Sequence, residues 1–194
     1  MRKKIFRFAI LPWFKWIAYI FYNKKYLTGR HFEGKSLEGW VWVLNGIWKQ
    51  KILGFNRYLP FPCHPTARIY HYNNIFFDVD NLDNFQSPGI YFDCVRKSIH
   101  IGKGTYIGPN VGLLTANHQF DNLDDYQEGK DIVIGKNCWI GMNAVILPGV
   151  TLGDKTIVGA GAVVTKSFLQ GHCVLGGVPA TVIKTLPVKN TALE

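Results

Sequence analysis

A single histidine stands where a regular pattern in this sequence is interrupted. The stretch GLLTANHQF, residues 112–120, follows an aliphatic–glycine repeat and leads into a polar loop. A neutral imidazole, with an unperturbed pKa near ~6.5, accepts a proton at neutral pH and often serves as a general base. His118 is therefore the candidate for proton abstraction, and its ordinary alternative is a solvated loop histidine.

The loop that begins at His118 is rich in carboxylates. Residues 118–131 read HQFDNLDDYQEGKD and contain Asp121, Asp124, Asp125, Glu128 and Asp131. Such groups orient an imidazole or line a substrate site, and they are equally typical of a solvated surface loop. Both interpretations stay open.

Other residues capable of chemistry are scattered. The remaining histidines (His31, His64, His71, His100 and His172) and the cysteines (Cys63, Cys94, Cys138 and Cys173) show no metal-ligand spacing and no Cys-x-x-Cys pair. A zinc enzyme would need about three convergent ligands. We expect no metal site, and we expect free thiols in a reducing compartment.

The elements that would position His118 repeat every six residues. From Ile134 the chain reads IGKNCW IGMNAV ILPGVT LGDKTI VGAGAV VTKSFL, with an aliphatic residue opening each hexad and small residues at most fifth positions. The frame is also present at Ile101, Ile107 and Leu113, and more weakly at Ile69 and Ile75. A period of six fits neither an α-helix nor a simple alternating strand. It predicts short strands and tight turns that wind into a triangular β-helix, with glycine relieving crowding at the corners.

Net charge is concentrated at the N-terminus. The chain has 22 Lys and Arg against 13 Asp and Glu, and eight of these bases and no acid lie in residues 1–30. The rest is nearly neutral, which argues against a nucleic-acid-binding face.

Residues 1–25, MRKKIFRFAILPWFKWIAYIFYNKK, are basic, apolar and aromatic. No small-x-small cleavage site follows, and the run 8–22, interrupted by Pro12 and Lys15, is shorter than the ~20 residues that span a bilayer. We expect this segment to lie at an anionic membrane surface, or alternatively to pack on its own domain or on a neighbouring subunit.

A second amphipathic helix is predicted over residues 36–54, either lying on a membrane or buried against the main domain. Its apolar stripe is formed by Leu37, Val41, Leu44, Trp48 and Ile52. The predicted organisation is a helical extension over residues 1–60, a β-helix domain over 61–186 with the loop 118–131, and a C-terminal tail over 187–194.

Three segments are more specific than the six-residue repeat alone: NCWIGMNAVILPGV, GAGAVVTK and GGVPA. Together with the histidine loop, they make residues 99–184 similar to the hexapeptide-repeat acyltransferases, in particular the maltose and galactoside O-acetyltransferase branch and the capsule and exopolysaccharide O-acetyltransferases. The resemblance implies a left-handed parallel β-helix, homotrimers, and active sites between adjacent subunits that use acetyl-CoA.

The resemblance also implies roles for individual residues. The sequence TANH places His118 as the general base, with one residue more between Thr115 and the histidine than in related enzymes. The amide of Met142 would stabilise the oxyanion, although relatives carry a small residue there. The acetyl donor, acetyl-CoA, would lie near residues of the repeat and of the C-terminal segment: Trp139, Gly141, Met142, Ala160, Thr165, Lys166, Thr181 and Lys184. Thr181 departs from the basic residues of relatives near the CoA phosphates.

The acceptor site departs most from the family. A gapless match puts Pro88 where sugar-acetylating relatives have an asparagine, so Asn84, Gln86 and Asp93 are the substitutes that we consider. We expect an O-acetyltransferase acting on a cell-surface polysaccharide or its lipid-linked precursor, in the cytoplasm or at the inner face of the cell membrane. The alternatives are an N-acetyltransferase acting on an amino-sugar nucleotide and a non-catalytic β-helix scaffold.

Overall fold

The computed structural model describes residues 11–33 and 37–187, and the chain divides into two compact units, Met1–Thr66 and Ala67–Glu194. The predictions for residues 1–10 and for most of the tail, 188–194, concern parts of the chain outside the described residues.

The first unit is helical. It contains the α-helices α1 (Leu11–Phe21), α2 (Arg30–Glu33) and α3 (Glu38–Gly46), a 3-10 turn at Lys24–Tyr26 and a π-helix at Ile47–Ile52 that continues α3. No helix in the described parts of the chain is long and apolar enough to cross a membrane.

A hydrogen-bonded glutamine is buried among the apolar residues of the helical unit. The Gln50 side chain is fully buried and accepts hydrogen bonds from the Tyr22 hydroxyl at 3.0 Å and from the Cys63 amide at 2.9 Å. Its Nε2 atom donates to the Phe61 carbonyl at 3.3 Å. Gly46 lies against this cluster, since an added Cβ would approach the Tyr22 hydroxyl oxygen and Gln50 Oε1 too closely. The helices therefore pack on a hydrogen-bonded glutamine as well as on aromatic rings such as Trp40.

The outer faces of these helices are apolar. On α1 the exposed side chains follow the spacing of one helical stripe, with exposed fractions between 48% and 78%: Trp13, Trp16, Ile17 and Ile20. On α3 and the π-helix, four of the five residues of the predicted stripe are between 52% and 59% exposed: Val41, Leu44, Trp48 and Ile52. The second helix is thus where the sequence predicts it, but its apolar stripe faces outward.

The second unit is a parallel β-helix of five coils. Its strands are β1 (Arg68–Tyr70), β2 (Ile75–Phe77), β3 (Tyr91–Asp93), β4 (Ile99–Ile101), β5 (Tyr106–Ile107), β6 (Gly112–Leu114), β7 (Ile132–Ile134), β8 (Trp139–Ile140), β9 (Val145–Ile146), β10 (Thr151–Leu152), β11 (Ile157–Val158), β12 (Val163–Val164), β13 (Cys173–Gly176) and β14 (Thr181–Thr185). The mainly β architecture and the six-residue frame predicted from the sequence are confirmed.

The strands form three faces. Face 1 stacks β1, β3, β6, β9 and β12; face 2 stacks β2, β4, β7 and β10; face 3 stacks β5, β8, β11 and β13, with β14 added antiparallel to β13. The aliphatic residue that opens each hexad points inward, and on face 3 the register runs Ile107, Ile140, Val158 and Leu175, all buried. The small fifth-position residues are buried too, as at Ala144 and Ala162.

The corners use glycine for a different reason than the sequence suggests. The glycines that follow the inward aliphatics are absent from the positions with positive φ; a Cβ on Gly135 would lie 2.7 Å from the Asp154 amide of the next coil. The left-handed corner residues come two positions later, as at Asn143 with φ 60° and Gly161 with φ 72°. Glycine therefore permits close stacking of coils, and asparagine or glycine makes the turn.

The first coil completes its third side without a strand. A 3-10 helix, Val79–Gln86, lies beside β5, and the amide side chains of Asn81 and Asn84 replace strand pairing. Asn84 donates to the Thr105 carbonyl and accepts from the Ile107 amide, both at 2.8 Å. Asn81 does the same with Gly102 and Gly104, at 2.7 and 2.8 Å.

Candidate active site

The His118 loop, residues 115–131, leaves the β-helix between faces 1 and 2, where β6 ends and β7 begins. Both of its ends are fixed at Thr115. The Thr115 amide and hydroxyl donate to the Asp93 carbonyl of the preceding coil at 3.0 and 2.8 Å, and the Lys130 amide donates to the Thr115 carbonyl at 2.8 Å. We call the corner between faces 1 and 2 the loop edge. The loop that leaves it is closed at its base by these hydrogen bonds.

Within the loop, His118 and Tyr126 form an antiparallel bridge. The Gln127 amide donates to the Asn117 carbonyl at 2.8 Å, and the Gln119 amide donates to the Asp125 carbonyl at 2.9 Å. These bonds make a small hairpin, so the backbone that carries His118 is held on both sides.

The His118 ring is exposed, and its orientation is fixed by a main-chain carbonyl. Nδ1 lies 2.6 Å from the Leu123 carbonyl oxygen, and the ring packs on Tyr126 with centroids 4.2 Å apart. Because a carbonyl oxygen only accepts hydrogen bonds, the proton of the neutral imidazole resides on Nδ1. The lone pair is then on Nε2, which is the arrangement that a general base requires.

Three carboxylates of the loop contact groups other than His118, within the loop or in the segment before β4. Asp131 accepts a hydrogen bond from the Ser98 amide at 2.7 Å, Glu128 pairs with Lys97 at 3.3 Å, and Asp125 accepts from Asn122 at 2.8 Å. Of the two interpretations of these acids, the described contacts favour structural and surface roles, and the Leu123 carbonyl orients His118.

A second group of candidates lies at the opposite border of face 1. The amide edge, defined here as the corner between faces 3 and 1, carries Met142 and Ala160 one coil apart. Both residues are exposed, and their backbone N–H groups make no hydrogen bond with the described residues. Strand stacking places the Met142 and Ala160 backbone nitrogens about 4.8 Å apart. Two exposed, unpaired donors in a row can bind carbonyl oxygens of an extended ligand, so this edge fits an acyl-CoA thioester.

Trp139 and Gly141 precede the amide edge. Trp139 is 57% exposed on face 3, in register between Tyr106 and Ile157. A Cβ on Gly141 would lie 2.7 Å from the Ala160 nitrogen. Gly141 therefore permits the close approach of the coil that carries Ala160.

The remaining donor candidates occupy other places. Thr165 and Lys166 follow β12 and are exposed at the loop edge, in the fifth coil. Thr181 and Lys184 are exposed on β14, where Lys184 pairs with Val174 in the antiparallel register. The eight predicted donor-site residues are thus divided among β8 with the amide edge that follows it, the loop edge, and β14.

The three predicted acceptor-site residues also lie in different parts of the β-helix. Asp93 ends β3 at the loop edge, one coil from the origin of the His118 loop. Asn84, in contrast, is 2% exposed and uses both amide atoms to hold the third side of the first coil, so its side chain is unavailable to an acceptor. Gln86 is half-buried at the end of the same 3-10 helix.

Two residues that the sequence did not single out, Tyr126 and Arg96, are linked to His118 by successive ring contacts. Tyr126 supports its ring, and the Arg96 guanidinium lies 5.2 Å from the Tyr126 ring centroid. Arg96 lies in the connection between β3 and β4, Tyr126 lies in the loop hairpin, and a six-residue frame contains no signal for either. No group of three or more metal-ligating side chains occurs within residues 11–33 and 37–187.

The repeat matches a known family. The model described as "Bacterial transferase hexapeptide (six repeats)" matches residues 131–166, from the end of the His118 loop through β12. A Dictyostelium discoideum protein provisionally named an acetyltransferase is 45% identical over 129 residues, which cover 65% of each chain. The galactoside O-acetyltransferase of Escherichia coli K12 is 39% identical over 92 residues, covering 46% of this chain and 45% of the enzyme. The chain belongs to the hexapeptide-repeat acetyltransferases.

The family predicted by the resemblance is thereby confirmed, and with it the left-handed β-helix that is typical of these proteins. The chain spans just under two thirds of the length of the Dictyostelium relative and less than half that of the Escherichia coli enzyme. Among solved structures, a hexapeptide-repeat acetyltransferase of Vibrio cholerae, complexed with acetyl-CoA, is 31% identical with a TM-score of 0.49, covering 52% of this chain and 56% of that one.

Proposed function

We propose that this family member is an acetyl-CoA-dependent O-acetyltransferase that acetylates a saccharide hydroxyl, with His118 as the general base. The observation that carries the proposal is the hydrogen bond from Nδ1 of His118 to the Leu123 carbonyl, which leaves Nε2 as an exposed proton acceptor. The 39% sequence identity with galactoside O-acetyltransferase over 92 residues supports a sugar hydroxyl as the group acetylated.

The proposed reaction balances without a further reactant. Acetyl-CoA supplies an activated thioester; the acceptor oxygen forms the new ester bond as the carbon–sulfur bond breaks. His118 Nε2 takes the hydroxyl proton and returns it to the departing sulfur, so the imidazole ends neutral. The Met142 amide donates to the carbonyl oxygen that gains negative charge.

We infer that a complete site needs two copies of the chain. The loop edge and the amide edge border opposite sides of face 1, roughly 15 Å apart from the strand rise and the length between corners. A homotrimer, as the family resemblance implies, would bring the amide edge of one copy against the loop edge of the next.

This arrangement predicts complementation between two inactive variants. His118→Ala removes the base, and Met142→Pro removes the amide at a turn whose equivalent in the preceding coil is already proline, Pro109. In randomly mixed trimers, about a quarter of the sites would receive both intact groups, so roughly a quarter of the activity should return. No recovery in verified mixed oligomers would place both groups of a site in one chain.

The reaction itself is tested with purified full-length protein, acetyl-CoA and paired acceptors that differ only in a hydroxyl or an amino group. Thiol release with an ester product identified by mass spectrometry is the expected result. Amide products would favour the N-acetyltransferase. If acetyl-CoA does not bind and no acceptor supports turnover, the scaffold alternative is correct.

We further propose that the helical unit lies on an anionic membrane at the cytoplasmic face, near a polysaccharide or lipid-linked acceptor. Support comes from the two exposed stripes, from Trp13 and Trp16 on α1, and from the excess of bases in residues 1–30. Tryptophan suits the headgroup region, and lysine and arginine are attracted to anionic lipid.

Vesicle co-sedimentation tests the membrane proposal. Binding to phosphatidylglycerol-containing vesicles should exceed binding to pure phosphatidylcholine, fall with salt, and be lost in Trp16→Ser/Ile20→Ser. The control Phe76→Ser removes an exposed aromatic ring from face 2 of the β-helix. If the double variant instead changes the oligomeric state and lipid binding is absent, the stripes contact another copy of the chain.

A further inference from the structure

Three exposed tyrosines lie in the His118 loop and on the adjoining part of face 1. Tyr126 packs on the His118 ring, Tyr91 begins β3, and Tyr70 ends β1. Their side chains are between 40% and 41% exposed, so each ring has one part in contact with the protein and another open to solvent.

Two of the three rings, those of Tyr70 and Tyr91, are in contact. The centroids of Tyr70 and Tyr91 are 5.7 Å apart with an interplanar angle of 62°. Tyr91 in turn interacts with Tyr126: burial, the Asp93 carboxylate and both neighbouring phenols raise the pKa of Tyr91. The Tyr91 hydroxyl is therefore protonated at neutral pH and able to donate as well as accept hydrogen bonds.

The fold does not need these rings for its core. On β1 and β3 the inward positions are filled by Ile69 and Phe92, which are fully buried, and the tyrosines occupy the alternate, outward positions. The next outward position below Tyr91 is Gly112, which has no side chain. On face 1, the aromatic row is thus confined to the first two coils, next to the loop edge.

Polar groups flank the row. The Asp93 carboxylate accepts a hydrogen bond from the Val95 amide at 3.2 Å, and the Arg96 guanidinium lies over the Tyr126 ring at 5.2 Å. Ring faces with a few polar groups at their margins are suited to a sugar chain, whose rings have apolar C–H faces and hydroxyl rims.

We propose that Tyr70, Tyr91 and Tyr126 form an acceptor platform that holds the sugar units adjoining the one acetylated at His118. The proposal rests on the proposed function and sharpens it: the acceptor is an oligosaccharide or polysaccharide of several units. A monosaccharide at His118 would reach Tyr126 but leave the Tyr91 and Tyr70 rings unused.

Kinetics with oligosaccharides of one to five units test the platform. In Tyr91→Leu and Tyr70→Leu, KM for the longer acceptors should rise roughly fivefold to tenfold, in line with the loss of one aromatic contact. The kcat, the KM for acetyl-CoA and the KM for the monosaccharide should stay unchanged. Phe76→Leu, an exposed ring on face 2, is the matched control.

Direct binding separates failure of the platform from failure of the proposed reaction. Titration calorimetry of the same oligosaccharides, without acetyl-CoA, should show affinity that increases with chain length in the wild type and is weakened in Tyr91→Leu. Tyr91→Phe retains the ring and should lose less, provided that circular dichroism shows native folding for each variant. Absence of length-dependent binding, or equal effects of Tyr91→Leu and Phe76→Leu, would overturn the proposal.

Discussion

The regularly spaced apolar side chains of the two units point in opposite directions, inward in the β-helix and outward on the helices. In the β-helix, the repeated aliphatics Leu113, Ile140 and Ile146 are fully buried. In the helical unit, the fully buried Gln50 lies near the centre, while Trp13 and Trp16 are about three quarters exposed. Burial of its own aliphatic side chains stabilises the β-helix. The exposed apolar stripes of the helical unit, in contrast, are typical of a surface that binds a partner.

The strongest test of this contrast compares one aromatic residue from each unit. Phe92→Ala should lower the free energy of unfolding by about 3–5 kcal/mol, because it leaves a cavity among buried rings and aliphatics. Trp16→Ala should change it by less than about 0.5 kcal/mol. Urea unfolding followed by the β-sheet signal measures both, and equal losses would show that Trp16 is part of a folded core.

A smaller loss is expected where the β-helix itself depends on polar groups. Asn84→Ala deletes two hydrogen bonds and leaves the Thr105 carbonyl and the Ile107 amide without partners in a buried site. We expect a cost of roughly 2–3 kcal/mol. The KM for the acceptor should stay unchanged, and an increase in that KM with normal stability would restore Asn84 to the acceptor site.

Buried acidic groups link both units to pH. Burial raises the pKa of the Cys94 thiol to about 12 and raises the pKa values of Cys63 and the Tyr22 hydroxyl further. A raised folded-state pKa favours the protonated form, so this stabilisation is complete below the unfolded-state pKa and is lost as the pH rises. Stability should therefore decline above about pH 9, as thermal unfolding between pH 7 and 11 would measure. A constant melting temperature over that range would contradict the assigned burial.

The repeat was predictable because each hexad carries its own signal. An inward aliphatic every six residues specifies a strand and a turn locally, and stacking then follows for Ile107, Ile140 and Val158. The sequence also directed attention to His118, because a histidine-bearing loop interrupts that regularity.

Other features depend on contacts that a period does not encode. The pair Asn81 and Asn84, three residues apart, is compatible with one turn of a 3-10 helix, but its role is fixed only by main-chain groups about 20 residues later. Tyr70 and Tyr91 come together through stacking of coils, and Tyr126 lies in the loop hairpin. The outward stripe of α3 has the same spacing as a buried one, so periodicity alone could not assign its direction.

The central claim is that His118 accepts the proton of the acceptor hydroxyl. The most direct measurement is steady-state turnover of His118→Ala, with acetyl-CoA affinity measured on the same preparation and with His100→Ala, a ring stacked on Phe76 on face 2, as the control. We expect kcat to fall by roughly 10²–10⁴-fold in His118→Ala with acetyl-CoA affinity retained, and to be unchanged in His100→Ala. Undiminished turnover in His118→Ala would contradict the account.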